Sequence, residues 1–179
     1  MIDPVVAAAL RAGLALLFAS AAVHKLRAPS AFRSALADYR LVPEPLVSGA
    51  AWGAIALECA SAVALVAPGA YAAGPLLAAA LLGLYGAAIA VNLARGRRDL
   101  DCGCLGPGRR QSIGWALVAR NALLALAALA CLAPLRSRPL VWLDGLTIVA
   151  AVAAGALLQG AAERLLAQGP ALARLRDGA

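Results

Sequence analysis

The feature that most constrains this chain is a series of long apolar runs, rich in alanine and leucine, that recur along most of its length. Hydrophobic residues make up 63% of the 179 residues and charged residues only 14%. In soluble domains, hydrophobic residues average about 45–50% and charged residues about 25%. A run of about twenty apolar residues can cross the hydrocarbon core of a bilayer as a helix. The pattern therefore predicts an all-α integral membrane protein.

Proline, glycine and charged residues divide the apolar sequence into five predicted spans within a single membrane domain. The spans cover residues 5–26, 46–66, 72–93, 113–132 and 141–158, the last extending to about residue 166. We predict a four-helix transmembrane bundle over about residues 5–135, then a fifth transmembrane helix and a basic tail over 167–179. Phe32, Leu36 and Tyr39 recur at helical spacing after the first span, which indicates either an amphipathic interfacial helix or a connecting helix packed on the bundle.

The net charge of +7 would suggest nucleic acid as the partner of a soluble domain. Here basic loops flanking membrane spans explain the charge better, so we expect lipids and no nucleic acid as partners. Four cysteines, two of them inside apolar runs, do not form the framework of a secreted disulfide-rich domain.

Cys102 and Cys104 lie in the charged loop 95–111, between two apolar runs, with Gly103 between them and Asp101 before them. Fully extended, residues i and i+2 stand about 6.6–7.2 Å apart, at or past the limit of about 6.8 Å for a disulfide. Gly103 can bend the backbone inward, and a bridge closed this tightly is strained and easily reduced. The pair is therefore interpreted as redox-active, with a structural role and a partial metal site as alternatives.

Thiolate chemistry supports the redox interpretation, because neighbouring cations lower the pKa of a thiol. The charges near the pair are Arg95, Arg97, Arg98, Arg109 and Arg110, opposed by Asp99 and Asp101. A metal would need two further ligands, and the remaining candidates, Cys59, Cys131 and His24, are scattered through apolar sequence. We therefore predict no metal site.

Charged and amide side chains inside the spans form a second group of candidates. Counted from the cysteine face, Glu58 lies about 18 Å deep, Arg120 about 11–14 Å and Arg11 about 22 Å. Because an unpaired charge in hydrocarbon costs at least about 2.5–3.5 kcal/mol, Glu58 is predicted to pair with Arg120 or, failing that, Arg11. The group is either a structural staple or a polar cavity for a small polar-headed molecule such as a quinone, with Asn92 and Asn121 as donors.

The remaining candidates have ordinary structural explanations. His24, the single histidine, falls at the cysteine face, where it is either a proton acceptor for a thiol or a solvated interfacial side chain. Cys59 and Cys131 fall inside spans and are interpreted as small core residues.

Several segments together carry a resemblance to a known family. They are LFASAAVHKL at 17–26, Phe32, YRLVP at 39–43, Glu58, NLARG at 92–96, DCGCLG at 101–106, and Arg120-Asn121. This series resembles the MauE family of methylamine-utilisation membrane proteins, which is related to DoxX-like proteins. The resemblance covers about residues 5–135, and Asp-Cys-Gly-Cys with the downstream Arg-Asn is its most specific part.

The resemblance implies a redox protein of the bacterial inner membrane that works with a thioredoxin-like partner of the MauD type. The implied client is the disulfide-rich small subunit of methylamine dehydrogenase. The four-helix arrangement is also similar to vitamin K epoxide reductase and DsbB-type thiol oxidases, which pass electrons between cysteines and a quinone. Those proteins use Cys-x-x-Cys whereas this chain has Cys-x-Cys, so a quinone cofactor is suggested by analogy alone.

Two arguments disagree on which side of the membrane the cysteine loop lies. Most basic loop residues lie on the cysteine side, which by the positive-inside rule makes that side cytoplasmic. Disulfides rarely persist in the cytoplasm, and arginines that activate thiolates distort the count. We expect the loop on the extracytoplasmic face.

The sequence therefore predicts a membrane thiol–disulfide oxidoreductase. Two other functions stay open: a scaffold that docks a thioredoxin-like partner without chemistry, and a small-solute carrier built on Glu58 and Arg120.

Overall fold

The computed structural model is all-α and describes residues 1–100 and 112–177, with side chains described up to 165 except at 163. The helices are α1 Pro4–Arg27, α2 Pro29–Asp38, a 3₁₀ turn Glu44–Leu46, α3 Val47–Val66, α4 Ala73–Ala94, α5 Trp115–Ala130 and α6 Trp142–Asp177. The predicted all-α membrane fold is confirmed.

Among the described residues, four helical segments are long and apolar enough to cross a membrane: Pro4–Arg27, Glu44–Val66, Ala73–Ala94 and Trp142–Ala162. They match the predicted first, second, third and fifth spans. The predicted span at 113–132 forms the shorter helix α5, whose 16 residues extend about 24 Å at 1.5 Å per residue. That is less than the hydrocarbon core of about 30 Å.

The centre of the bundle is formed by α1, α3, α4 and α5, with α4 packed most extensively on α5 and α1 on α3. Its largest apolar cluster consists of Leu14, Ala15, Phe18, Leu65, Ala78, Leu81, Leu82 and Ala128. Helices α3 and α4 approach so closely near Gly74 that a Cβ built there would lie 2.5 Å from the carbonyl oxygen of Ala64. A glycine is therefore required at this contact.

Helix α6 lies at the edge of the bundle, packed against α1. None of the residues in its most apolar stretch, within Trp142–Ala162, is buried, so its large apolar side chains face outward from the protein. This exposure suits a helix surrounded by lipid, where apolar side chains need no protein cover.

The N-terminus is fixed to the segment between α5 and α6 at the face opposite the cysteine loop. Ile2 pairs with Leu135 in a short parallel bridge. Arg138 donates from Nε to Asp3 Oδ2 and from Nη1 to Asp144 Oδ2, both at 2.9 Å. These contacts join the start of α1 to the start of α6.

Candidate functional site

The predicted redox pair, Cys102 and Cys104, lies outside the described residues, as do Asp101 and Gly103. The structure does describe both ends of their loop. The amide of Ile113 donates to the carbonyl of Leu100 at 3.0 Å, so the chain leaves and re-enters the bundle at one point. Helix α4 ends at Ala94, and Gly96 turns the chain at the start of the loop with a φ of +75°, a conformation that glycine adopts without a steric penalty.

A second apolar cluster holds these loop ends against the bundle. It consists of Tyr39, Ile89, Leu93, Ile113 and Leu117, with Leu100 packed against it. Arg97 donates from Nη1 to Asn92 Oδ1 at 3.0 Å and to the Tyr39 carbonyl at 3.4 Å. The loop ends are therefore fixed to α4, α5 and the end of α2.

Glu58 is fully buried and forms an ion pair with Lys25 through Oε1. The prediction that it pairs with Arg120 or Arg11 is wrong. Lys25 is itself 7% exposed although it lies in the last turn of α1. It follows Leu14, Phe18 and Ala22 on the buried face of that helix, so its ammonium points into the bundle rather than to water.

Aromatic side chains complete the environment of this ion pair. Tyr85 on α4 donates its hydroxyl to Glu58 Oε1 at 2.8 Å. The Lys25 ammonium lies 4.7 Å from the ring centroid of Phe32 and 4.9 Å from that of Tyr85, within the range of a cation–π contact. Glu58 Oε2 is buried without a hydrogen-bond partner in the described part of the chain. The cluster joins α1, α2, α3 and α4 around one carboxylate.

Arg11 lies at the other end of the bundle. Its Nε and Nη2 donate to the carbonyls of Leu65 at 2.9 Å and Ala70 at 3.1 Å, and its Nη1 to that of Tyr71 at 3.3 Å. These carbonyls belong to the end of α3 and the turn that follows, so Arg11 satisfies acceptors that the helix leaves open. These contacts hold Arg11 at the far rim of the bundle, away from Glu58.

The two asparagines of the predicted polar cavity each donate a hydrogen bond within their own helix. Asn92 Nδ2 donates to the Ala88 carbonyl at 3.1 Å, and Asn121 Nδ2 donates to the Leu117 carbonyl at 2.9 Å. Both asparagines are buried, and Arg120 is partly buried beside Asn121. A role for these residues and Glu58 in binding a quinone stays a prediction.

The remaining candidates are separated from one another. His24 is exposed at the end of α1, and Cys59 is exposed on α3. Cys131 is buried, and its thiol donates to the Ala127 carbonyl at 3.4 Å. The described residues contain no group of three histidine, cysteine or carboxylate side chains that could hold a metal ion.

Sequence reasoning missed Lys25 and Tyr85 as members of the buried cluster. Helical periodicity contained a signal for Lys25, because positions 14, 18, 22 and 25 share one face of α1 and the first three are apolar. Tyr85 carried no comparable signal, since a tyrosine in an apolar span is usual at many positions.

Comparison with known proteins gives one consistent family. The family described as "Methylamine utilisation protein MauE" matches residues 3–134, which contain α1 to α5. No solved structure matches the chain.

Curated relatives agree with that match. The chain is 45% identical to "Methylamine utilization protein MauE" of Methylorubrum extorquens over 126 residues, covering 70% of this chain and 68% of the relative. It is 44% identical to the Paracoccus versutus protein of that description over 127 residues, covering 71% and 68%. For the Paracoccus denitrificans protein the identity is 41% over 130 residues, covering 73% and 70%. The chain belongs to the MauE family of methylamine utilisation proteins.

Proposed function

We propose that this protein is a membrane thiol–disulfide oxidoreductase in which Cys102 and Cys104 exchange electrons with the cysteine pair of a thioredoxin-like partner. The observation that carries the proposal is the hydrogen bond between Ile113 and Leu100, which returns both ends of the cysteine loop to one point of the bundle. Fixed loop ends support the proposal, because a visiting protein would find the start and the end of the loop at one defined place on the bundle.

The proposed exchange needs no reagent beyond the two cysteine pairs. One thiolate of the loop attacks a sulfur of the partner's disulfide, and the partner's other sulfur leaves as a thiolate that takes up a proton. The second loop cysteine then attacks the mixed disulfide. The loop pair ends oxidised and the partner ends reduced by two electrons, and the reaction can also run in reverse.

The arginines at the loop ends support this chemistry. Arg95, Arg97 and Arg98 follow directly from α4, and cationic neighbours favour the thiolate form of a cysteine. The relatives are named for methylamine utilisation. The client that we propose on that basis is the disulfide-rich small subunit of methylamine dehydrogenase, which the exchange would reach through a MauD-like protein.

The decisive experiment replaces Cys102 and Cys104 with serine, singly and together, in cells that require the protein for growth on methylamine. We expect each variant to lose the client's disulfides, measured by the client's mobility after thiol alkylation. Cys59→Ser is the matched control, because Cys59 is exposed on α3 away from the loop ends. Normal client disulfides in the double-serine variant would instead support a docking scaffold.

We further propose that the chain lies in the bacterial inner membrane with its cysteine loop on the extracytoplasmic side. A membrane-impermeant maleimide added to intact cells should label reduced Cys102 and Cys104 in a chain lacking Cys59 and Cys131. A cysteine at position 136, at the opposite face, should be labelled only after the cells are opened. The reverse pattern would place the loop in the cytoplasm.

A further inference from the structure

We propose that the surface between α2 and the start of α3 is the docking site for the thioredoxin-like partner, an inference that rests on the proposed function. The proposal concerns recognition and not chemistry. It assigns a role to the segment that joins the first two spans, which the exchange reaction itself does not use.

Two clefts lie side by side on this surface, with volumes of about 490 and 380 Å³. They share Ala37, Glu44 and Val47. The first is also lined by Arg40, Leu41, Val42 and Pro43, and the second by Ser30, Arg33, Ser34 and Ser48. The two linings combine apolar side chains with hydroxyl and charged groups, as surfaces that recognise other proteins also do.

The first cleft lies next to residues that pack at the base of the cysteine loop. Arg40, in the first cleft, directly follows Tyr39, which packs with Ile113 and Leu93 at the loop ends. Arg97 also donates to the Tyr39 carbonyl. A partner bound at a standard interface covers about 800 Å² of each protein. A partner that reaches the loop therefore also covers the surface beside the loop, and the first cleft lies in that surface.

The backbone supports a fixed shape at this border. Arg40 has a φ of 50°, a conformation that non-glycine residues seldom adopt. Its amide donates to the Ala37 carbonyl at 3.0 Å, which ends α2. Pro43 and Pro45 then restrict the approach to α3. A surface held in one shape loses little conformational entropy when a partner binds.

The charges of this face select the partner's chemistry. Its described cations, apart from the buried Lys25, are Arg27, Arg33, Arg40, Arg95, Arg97 and Arg98, and its anions are Asp38, Glu44 and Asp99. The excess of positive charge favours a partner whose contacting face is acidic. Glu44 lines both clefts and would repel an anionic lipid headgroup, whereas a protein can place a cation opposite it. The observations therefore favour an acidic protein face.

The test uses the full chain in nanodiscs of phosphatidylcholine and a purified MauD-like protein. The variants are Arg33→Glu and Arg40→Glu, and the control is Arg136→Glu, an equal charge reversal on an exposed residue at the opposite face. Affinity is measured in a Cys102→Ser/Cys104→Ser background, so that docking is observed without covalent exchange. We expect about tenfold weaker binding for each cleft variant, unchanged binding for the control, and loss of affinity with added salt.

Reaction rates in the chain with its cysteines separate docking from chemistry. The cleft variants should react more slowly with the MauD-like protein, while reduction of the cysteine pair by dithiothreitol should stay within about twofold of the unmodified chain, because charge pairing at a rim acts on encounter. Unchanged affinity in both cleft variants would overturn the docking assignment. So would a defect that appears only in nanodiscs containing phosphatidylglycerol, which would indicate a lipid site. Normal docking with no exchange would instead overturn the proposed function.

Discussion

The buried ion pair between Lys25 and Glu58 gives the clearest prediction for single residues. Lys25→Met should lower the free energy of unfolding by about 3–5 kcal/mol, because the Glu58 carboxylate would stay buried without its cation. Replacing both residues with methionine should recover much of that loss, since no charge then remains inside the bundle. Thermal unfolding in detergent measures both effects.

The control for this series is Arg98→Met, which removes a cation from an exposed position. It should change stability by less than about 0.5 kcal/mol. Equal stabilities for Lys25→Met and Arg98→Met would contradict the importance of the buried pair.

The sequence predicts Glu58 as a charged residue inside a span but predicts the wrong cation for it. Depths counted in residues assume that all helices begin at one level, and they compare only the positions of Cα atoms. Lys25 instead reaches Glu58 from the last turn of α1, beneath Phe32 of α2. Which side chains meet depends on helix rotation and offset, and a hydropathy pattern contains neither.

Asp3 predicts a pH dependence at the opposite face. The hydrogen bond from Arg138, with a further one from the Val5 amide, holds the pKa of Asp3 below its ordinary value of 3.8. A carboxylate with a lowered pKa stabilises the fold above that ordinary value, and the contribution is lost as the pH falls through the lowered pKa.

We therefore expect the protection factors of the Ile2 and Arg136 amides, which bond across this junction, to fall below about pH 4. The protection factor is the intrinsic exchange rate at a given pH divided by the observed rate. Asp3→Asn should show low protection factors at neutral pH and no further decrease on acidification. Protection factors that are independent of pH in the unmodified chain would show that the Arg138 contact does not hold the junction.

At the scale of elements, the contact between α3 and α4 depends on one small residue. Gly74→Ala should be destabilising by about 1–3 kcal/mol, because the added Cβ would overlap backbone atoms of Ala64 and Leu65. Gly83→Ala is the matched control, on the same helix with nothing within 4 Å of the added atom. It should be neutral or slightly stabilising, since alanine favours helix over glycine. Equal unfolding temperatures for the two variants would mean that α4 can shift away without loss.

Helix positions could be predicted well from the sequence, and the reason is physical. Proline, glycine and charge interrupt an otherwise apolar chain, so the predicted span 5–26 and the observed helix Pro4–Arg27 differ by one residue at each end. The predicted amphipathic segment after it is α2, Pro29–Asp38. Two helices depart from the prediction. Helix α5 begins at Trp115 and ends at Ala130, because apolar residues at 113 and 132 continue the pattern without continuing the helix. Helix α6 continues to Asp177, through most of the segment 167–179 that the sequence predicts as a tail.

At the scale of the whole molecule, we expect the rest of the bundle to fold without α6. It packs against α1 with its span unburied, and the family match ends at residue 134, before α6 begins. A chain ending at Leu140 should still fold and keep the contact between Arg138 and Asp3. Its loss of stability in detergent should be smaller than that of Lys25→Met, and failure to fold would show that α6 supports the bundle through α1.

The candidate site could be predicted in part at this scale. Because successive spans cross a membrane in alternating directions, the sequence predicts that the loops after α1 and α4 lie on one face. Tyr39, Leu100 and Ile113 from those segments meet in one apolar cluster. The clefts beside α2 could not be predicted, because their lining comes from a helix, a turn and a second helix whose relative placement depends on tertiary packing.

The hydrogen bond between Leu100 and Ile113 has a consequence for how the redox state of the loop would affect the stability of the bundle. Because the two chain segments that enter the loop are joined at their base, we expect the proposed closing and opening of a disulfide to leave α4 and α5 at the same spacing. The melting temperature of the bundle should then be equal under oxidising and reducing conditions. Electron transfer would then require no rearrangement of the membrane domain, and the partner would bind the same surface before and after each reaction.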